Sequence, residues 1–174
     1  KANASDVAIV LFKSITPTII TGKTVETSIY SIPLPTDGFD YAVSIYSQAQ
    51  IALFAGGGAA ISHRLRIGTY SSPIDGATGA NAIGNQTLIA INSASTSIQI
   101  PITRKLIFRG GTSGSIYGMH ASFNVADDAN STATFSSTAT KDFTTQHYLY
   151  VTFNPSVVGA IVTHNQILVT LIKI

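Results

Sequence analysis

The chain has 174 residues, of which 45% are hydrophobic and only 10% are charged, with a formal net charge of +2. This hydrophobic content excludes a disordered chain, the scattered basic residues exclude a polybasic surface for nucleic acid, and the lack of cysteine excludes disulfides. No apolar run reaches the roughly 18 residues of a membrane-spanning helix, so we expect one domain over residues 1–174 with no nucleic-acid partner and no membrane insertion.

Alternating apolar and polar residues predict short β-strands from end to end, separated by Gly, Pro, Asn, Asp and Ser. The first segment, Asp6–Ile15, is a nearly continuous apolar run and is typical of a strand buried on both faces. The other predicted strands are, in chain order, Thr24–Leu34, Tyr41–Phe54, Ile61–Tyr70, Gln86–Asn92, Thr96–Ile102, Lys105–Arg109, Ser115–Val125, Thr132–Thr138, Thr144–Phe153 and His164–Ile174. This regular spacing predicts an all-β fold, an antiparallel double-sheet jelly-roll sandwich of about 8–10 strands with no significant helix.

Two of these strands have faces that the sequence defines well. Between Ile61 and Tyr70 the apolar residues and His63 point to one side, and Arg64 and Arg66 point to the other. Pro101 falls on the outer face of its strand, which indicates an edge position because proline cannot donate a ladder hydrogen bond.

The first and last predicted strands are the most apolar of the chain. We expect them to lie centrally in a sheet or to meet another subunit with their second face, and residues 1–15 to form a strand or an arm that engages a neighbour. The candidate interface residues are Val7, Ile9, Leu11, Leu168, Ile172 and Ile174. Because the chain begins at Lys1 without an initiating Met, we expect it to be processed, trimmed or part of a longer protein.

Three loops are the candidate ligand-binding regions: Ala55–Ala60, the long polar stretch Ser71–Asn85, and Gly110–Gly114. Exposed tyrosines beside small polar residues can stack on sugar rings, although aromatic side chains also pack within strands. The candidate binding residues are Gly56, Gly57, Gly58, Tyr70, Ser72, Asp75, Asn81, Thr112, Ser113 and Tyr117.

No catalytic or metal constellation stands out. The four histidines, His63, His120, His147 and His164, show no metal-ligand spacing, and His63 fits a buried core or interface histidine. No G-x-S-x-G turn is present to hold a nucleophile. We therefore predict no catalytic residue, no metal and no cofactor.

Three further motifs favour structural interpretations. The segment Asp127–Asn130 has the oxygen ligands of a calcium loop without its spacing, which indicates a turn. Gly110–Gly114 lacks the lysine of a phosphate loop and is typical of a hairpin turn. Asn3, Asn85 and Asn130 match the glycosylation pattern, which has meaning only in a host that glycosylates the chain.

One resemblance is more specific. Thr21–Pro35 has the form T-G-x-T-x-E-T-x-(apolar)-x-S-x-x-(apolar)-P, His63–Gly68 (HRLRIG) alternates charged and apolar residues before a glycine, and Gln166–Ile174 is an apolar final strand. In this order the segments resemble the small jelly-roll modules of tailed-phage virion proteins: tail-fibre and receptor-binding tips, head fibres and capsid decoration proteins. The resemblance covers most of the chain, with Ser71–Asn85 as a departure or an insertion. It implies a trimeric appendage or capsid-surface protein that displays loops.

We therefore expect a non-enzymatic virion structural protein that forms homotrimers and displays loops for host attachment. Its expected partners are copies of itself, other virion or filament subunits, and a host glycan or surface protein, at the virion surface or outside the cell. One alternative is a pilin-like or matrix filament subunit in which residues 1–15 add a strand to a neighbour. A second is a carbohydrate-binding module, although the lack of tryptophan weighs against it.

Overall fold

The computed structural model describes residues 7–53, 59–69, 71, 81–91, 97–119 and 141–174. This part of the chain contains ten strands and no helix. The strands are β1 (Ile9–Ser14), β2 (Thr18–Ile20), β3 (Thr27–Pro33), β4 (Tyr41–Leu53), β5 (Ala59–Gly68), β6 (Asn81–Ile91), β7 (Ser97–Arg109), β8 (Ser115–Met119), β9 (Tyr148–Pro155) and β10 (Ala160–Lys173). The predicted strand Thr132–Thr138 and the end of the predicted strand Ser115–Val125 lie outside the described residues.

The strands form two antiparallel sheets. The six-stranded sheet has the order β1-β10-β4-β7-β8, with β2 also beside β10, and the four-stranded sheet has the order β3-β9-β5-β6. Four of the strand pairs correspond to one long hairpin, in which the first half of the chain pairs with the second half. These pairs are β1·β10, β3·β9, β4·β7 and β5·β6. The further pairs β10·β4 and β9·β5 roll this hairpin into two sheets, which is the jelly-roll arrangement. The predicted fold class is confirmed.

A single core lies between the inner faces of the two sheets. On β5, Ile61, Leu65 and Ile67 are almost completely buried, as the alternation predicted. On β10, Val162 and Val169 face them from the six-stranded sheet and are also fully buried. Because inward residues of both sheets alternate with outward ones, Arg64 and the other outward residues of β5 remain outside this core.

Three predicted strand boundaries are wrong, the first two because strand pairing overrides local composition. Asn81–Asn85, which we assigned to a polar loop, belongs to β6, where Asn81 lies opposite Ile67 and Asn85 opposite Arg64. The segments Thr96–Ile102 and Lys105–Arg109 form one strand, β7, because Thr103 and Arg104 continue the ladder with β4. Thr144 to His147 precede β9 rather than belonging to it.

The terminal strands differ from each other in position. β10 is central, with β1 on one side and β4 on the other, as predicted. A central position for β1 is wrong, because β1 lies at a sheet edge and Ile9 and Val10 are more than half exposed in the single chain. That its second face meets another subunit stays a prediction. β1 pairs with β10 of its own chain, from Ile9 opposite Leu171 to Ser14 opposite Ile167.

Candidate functional site

The predicted ligand-binding residues fall into three groups. Gly56, Gly57, Gly58, Tyr70, Ser72 and Asp75 lie outside the described residues. The backbone of Asn81 is paired within β6, so its assignment to a loop was wrong. Thr112 and Ser113 are exposed in the turn between β7 and β8, and Tyr117 is exposed on β8, where the Arg109 guanidinium lies 5.6 Å from the centre of its ring.

The strand ends that flank these residues lie at opposite ends of the sandwich. β4 runs from Tyr41, opposite Phe108, to Leu53, and β5 begins only six residues later and returns toward Gly68. Gly68 and the β7–β8 turn therefore lie at the Tyr41 end, whereas β5 begins at the Leu53 end.

The Gly110–Gly114 turn is held tightly by the segment that precedes β9. Gly114 and Lys141 exchange two backbone hydrogen bonds, of 2.8 and 3.0 Å, and the Phe143 N–H donates to the Gly111 carbonyl. Gly111 has φ of +87°, which favours glycine, and a Cβ on Gly114 would overlap the Arg109 carbonyl and the Phe143 ring. The predicted hairpin turn is confirmed, and the packing leaves Thr112 and Ser113 on its outside.

A group of aliphatic side chains at the start of β1 and the end of β10 is exposed where the two strands lie side by side. Ile9 lies opposite Leu171 and Val10 opposite Thr170, so the N-terminal part of β1 lies beside the end of β10. We call this surface the edge patch; it consists of Val7, Ile9, Val10, Ile172 and Ile174. Consecutive residues of a strand point to opposite faces, so Ile9, opposite the buried Leu171, and Val10 extend to the two sides of the sheet edge. Exposed apolar side chains that are grouped in this way mark interaction sites on soluble domains.

The edge patch continues onto the outer face of the six-stranded sheet. Gln166, Gln48 and Gln99 form a ladder across β10, β4 and β7, with amide hydrogen bonds of 3.5 and 3.1 Å. Tyr46 on β4 is about half exposed beside this ladder. The charged side chains that the described residues place on this face, Lys13, Lys105 and Arg109, are all basic.

Two of the predicted interface residues are less exposed than the others. Leu11 is partly buried and packs against the core, because the register shift between Val10 and Phe12 turns it inward. Leu168 is partly buried on β10, between Lys13 of β1 and Tyr46 of β4. Leu168 borders an open cleft of about 300 Å³ that is also lined by Lys13, Ile15 and Gln166.

The sequence did not predict an ion cluster that Glu26 forms on the outer face of the four-stranded sheet. Its carboxylate accepts hydrogen bonds from Arg64 (2.7 Å), from Arg66 (2.5 and 2.6 Å) and from the Thr152 hydroxyl (2.5 Å), and the residue is only 7% exposed. Burial raises the pKa of Glu26, but hydrogen bonds from Arg66, Thr152 and Arg64 outweigh it and lower the pKa to about 2. The signal was present, since Glu26 and the two arginines stand in the two segments that resemble phage modules.

The histidines of the core are fully buried between the two sheets. His63 of β5 and His164 of β10 have no exposed surface, which confirms the prediction of a buried His63. The ring of Phe153 lies 5.1 Å from that of His63 and 5.8 Å from that of His164. In the described residues, no three His, Asp or Glu side chains come close enough to hold a metal ion. The same residues include no helix that could cross a membrane.

Comparisons with known proteins give only remote likenesses. No protein-family model matches the sequence, and no curated protein is similar to it. Three solved structures of infectious bursal disease virus are similar in shape: the Gt strain (TM-score 0.33, 10% identity), the Gx strain (0.28, 12%) and T=1 particles derived from the virus (0.29, 9%). They cover 99%, 97% and 96% of this chain, which spans 42%, 40% and 38% of theirs. At these TM-scores the likeness supports no conclusion, and the jelly roll is assigned from the strand order alone.

Proposed function

We propose that this chain is a non-enzymatic structural subunit of a virion that assembles with copies of itself through the edge patch. The edge patch is the observation that carries the proposal, because Val7, Ile9, Val10 and Ile174 are each more than half exposed in the single chain. Moving an aliphatic side chain from water into an interface contributes roughly 1.5–3 kcal/mol. Only 10% of the residues are charged, so few charged side chains are available to keep such an apolar surface soluble without a partner.

The outer face of the six-stranded sheet has a composition that is compatible with an extension of that interface. Its glutamine ladder and Tyr46 are uncharged, and interface cores are depleted of charge and enriched in tyrosine. Two of the three basic side chains of this face, Lys105 and Arg109, lie away from the ladder on β7, whereas Lys13 lines the same cleft as Gln166. A homotrimer is the expected assembly, at the virion surface.

The virion role is supported by the jelly-roll order of the strands together with the resemblance of Thr21–Pro35 and His63–Gly68 to phage appendage modules. In this role the sandwich holds loops at its two ends for a host glycan or surface protein. Thr112 and Ser113 are the described candidates for such contacts, because the turn that bears them is fixed while their side chains point to solvent.

Analytical ultracentrifugation of the purified chain tests the proposal with a matched pair of variants. Val10 in the edge patch and Val158 at the Leu53 end are equally exposed, at 59% and 61%. We expect a discrete oligomer whose dissociation constant rises about 100-fold in Val10→Lys, since a lysine charge would be buried in the interface. Val158→Lys should assemble as the unmodified chain does.

Ile174→Lys serves as a second edge-patch variant, and near-ultraviolet circular dichroism checks that each variant is folded. A monomeric wild-type chain at micromolar concentration would contradict the proposal. So would equal dissociation constants for Val10→Lys and Val158→Lys.

A filament is the second candidate, because β1 has a strand partner on one side only in the described chain. The free side of an edge strand can pair with a strand of another molecule. Since β1 already pairs with its own β10, such addition would extend the six-stranded sheet. Negative-stain imaging separates the two candidates, with long filaments favouring strand addition and discrete particles favouring the edge-patch oligomer.

A further inference from the structure

Two histidines from opposite sheets meet inside the sandwich. His63 belongs to the four-stranded sheet and His164 to the six-stranded sheet, and both side chains are fully buried. The ring of Phe153 lies against both, and Tyr30 packs edge-on against His164 with ring centres 5.2 Å apart. These contacts make the pair part of the packing between the sheets.

A hydrogen bond from Arg104 fixes the tautomer of His63. Arg104 of β7 places Nε and Nη2 each 3.4 Å from Nδ1 of His63, and a guanidinium can only donate, so Nδ1 must accept. The Tyr30 hydroxyl lies 3.2 Å from Nδ1 of His164. With Nδ1 as the acceptor, the neutral His63 ring carries its proton on Nε2. The Nε2 atoms of both rings are buried without a hydrogen-bond partner.

Among the described residues, no carboxylate interacts with either ring. In the described chain, the titratable groups that face the two rings are Arg104 from β7 and Tyr30 from β3. β4 contributes Ala49, opposite His164, and β9 contributes Phe153. A charged His63 would lie against the Arg104 guanidinium, and a charged Nε2 on either ring would remain without an acceptor.

We propose that His63 and His164 form an acid-sensitive lock, so that protonation of either buried imidazole separates the two sheets and opens the sandwich. The proposal concerns this chain's own stability and does not depend on its assembly. Because the two rings lie on opposite sheets, the charge that forms there acts directly on the contact between the sheets.

The direction of the pH effect follows from the pKa values. Burial lowers the pKa of His164 to about 4, and burial, Arg104 and His164 lower the pKa of His63 well below its usual value. In the unfolded chain an imidazole titrates near pH 6.5, so on acidification the unfolded state binds protons first. Stability is therefore complete above pH 6.5 and falls as the pH drops toward 4.

Urea unfolding at pH 7.5 and pH 5, followed by near-ultraviolet circular dichroism, tests the lock. From the His164 shift alone, we expect the unfolding constant to rise at least about 30-fold between these pH values. Carboxylates contribute little in this range, since their unfolded-state pKa values lie near 4.

The variants His63→Asn and His164→Asn remove the titration while the amide oxygen can still accept at the position of Nδ1. In the double variant, the change between pH 7.5 and pH 5 should shrink to about threefold or less. His147→Asn is the matched control, because His147 is also buried but lies at the Tyr41 end beside Phe143, and it should keep the wild-type change.

Nuclear magnetic resonance of the imidazole nitrogens in the unmodified chain provides a measurement that needs no variant. We expect both rings to remain neutral throughout the pH range in which the chain is folded, with the proton of His63 on Nε2. The proposal is overturned if either buried ring titrates near pH 6.5 in the folded chain, or if the double variant keeps the wild-type pH dependence.

Discussion

Glu26 links three segments that are distant in sequence. It lies just before β3, its two arginine partners lie on β5, and Thr152 lies on β9. One buried carboxylate therefore holds together three neighbouring strands of the four-stranded sheet from the outside. The two arginines are partly exposed, which lets them keep water contacts while Glu26 itself is covered.

We predict that Glu26→Gln lowers the free energy of unfolding by about 3 kcal/mol at pH 7, because two guanidinium groups lose their carboxylate. Urea unfolding gives this value, and a double-mutant cycle with Arg66→Gln isolates the pair from the other contacts of Arg66. Since the pKa of Glu26 is lowered to about 2, its contribution is present above pH 4.5 and is lost toward pH 2. A coupling energy under about 0.5 kcal/mol would show that the cluster is not a stabilising unit.

At the scale of elements, the β7–β8 turn shows how packing limits a loop that looked available for binding. Asp40 accepts a hydrogen bond of 3.2 Å from the Gly110 N–H, and Gly114 is bonded to Lys141. Phe143 is buried beneath the turn, with its ring 4.8 Å from that of Phe108. The turn therefore covers the core at the Tyr41 end of the sandwich.

We predict that Gly114→Ala destabilises the chain by about 1–3 kcal/mol, because the added Cβ displaces the Phe143 ring or the Arg109 carbonyl. Thr112→Ala, which lies two positions away and is exposed, should leave stability unchanged. Thermal unfolding of the two variants measures the difference. Equal melting temperatures would mean that the turn is not packed as described.

Sequence patterns predicted the positions of those strands that have one buried face and one exposed face. The alternation from Ile61 to Ile67 predicted the inward face of β5, and the break after Leu34 placed the end of β3 within one residue. The patterns did not predict a strand at Asn81–Asn85, because a polar sequence does not show that these residues pair with β5. They also failed to place β1, because an apolar sequence does not distinguish a central strand from an edge strand.

At the scale of the whole molecule, the jelly roll was predictable because its many short strands and turn signals leave few alternatives. The candidate interface was predicted in part: Val7, Ile9, Ile172 and Ile174 are exposed together, whereas Leu11 packs inward. The Glu26 cluster and the histidine pair could not be predicted, because each joins residues through pairing registers that the sequence alone does not give.

The location of the interface is the central claim, and thiol labelling tests it most directly because the chain has no cysteine of its own. Val10→Cys and Val158→Cys place single thiols at positions that are 59% and 61% exposed in the isolated chain. In the native assembly we predict that the thiol at position 10 reacts with a maleimide about tenfold or more slowly than the thiol at position 158. Equal labelling rates in the assembly would contradict assembly through the edge patch.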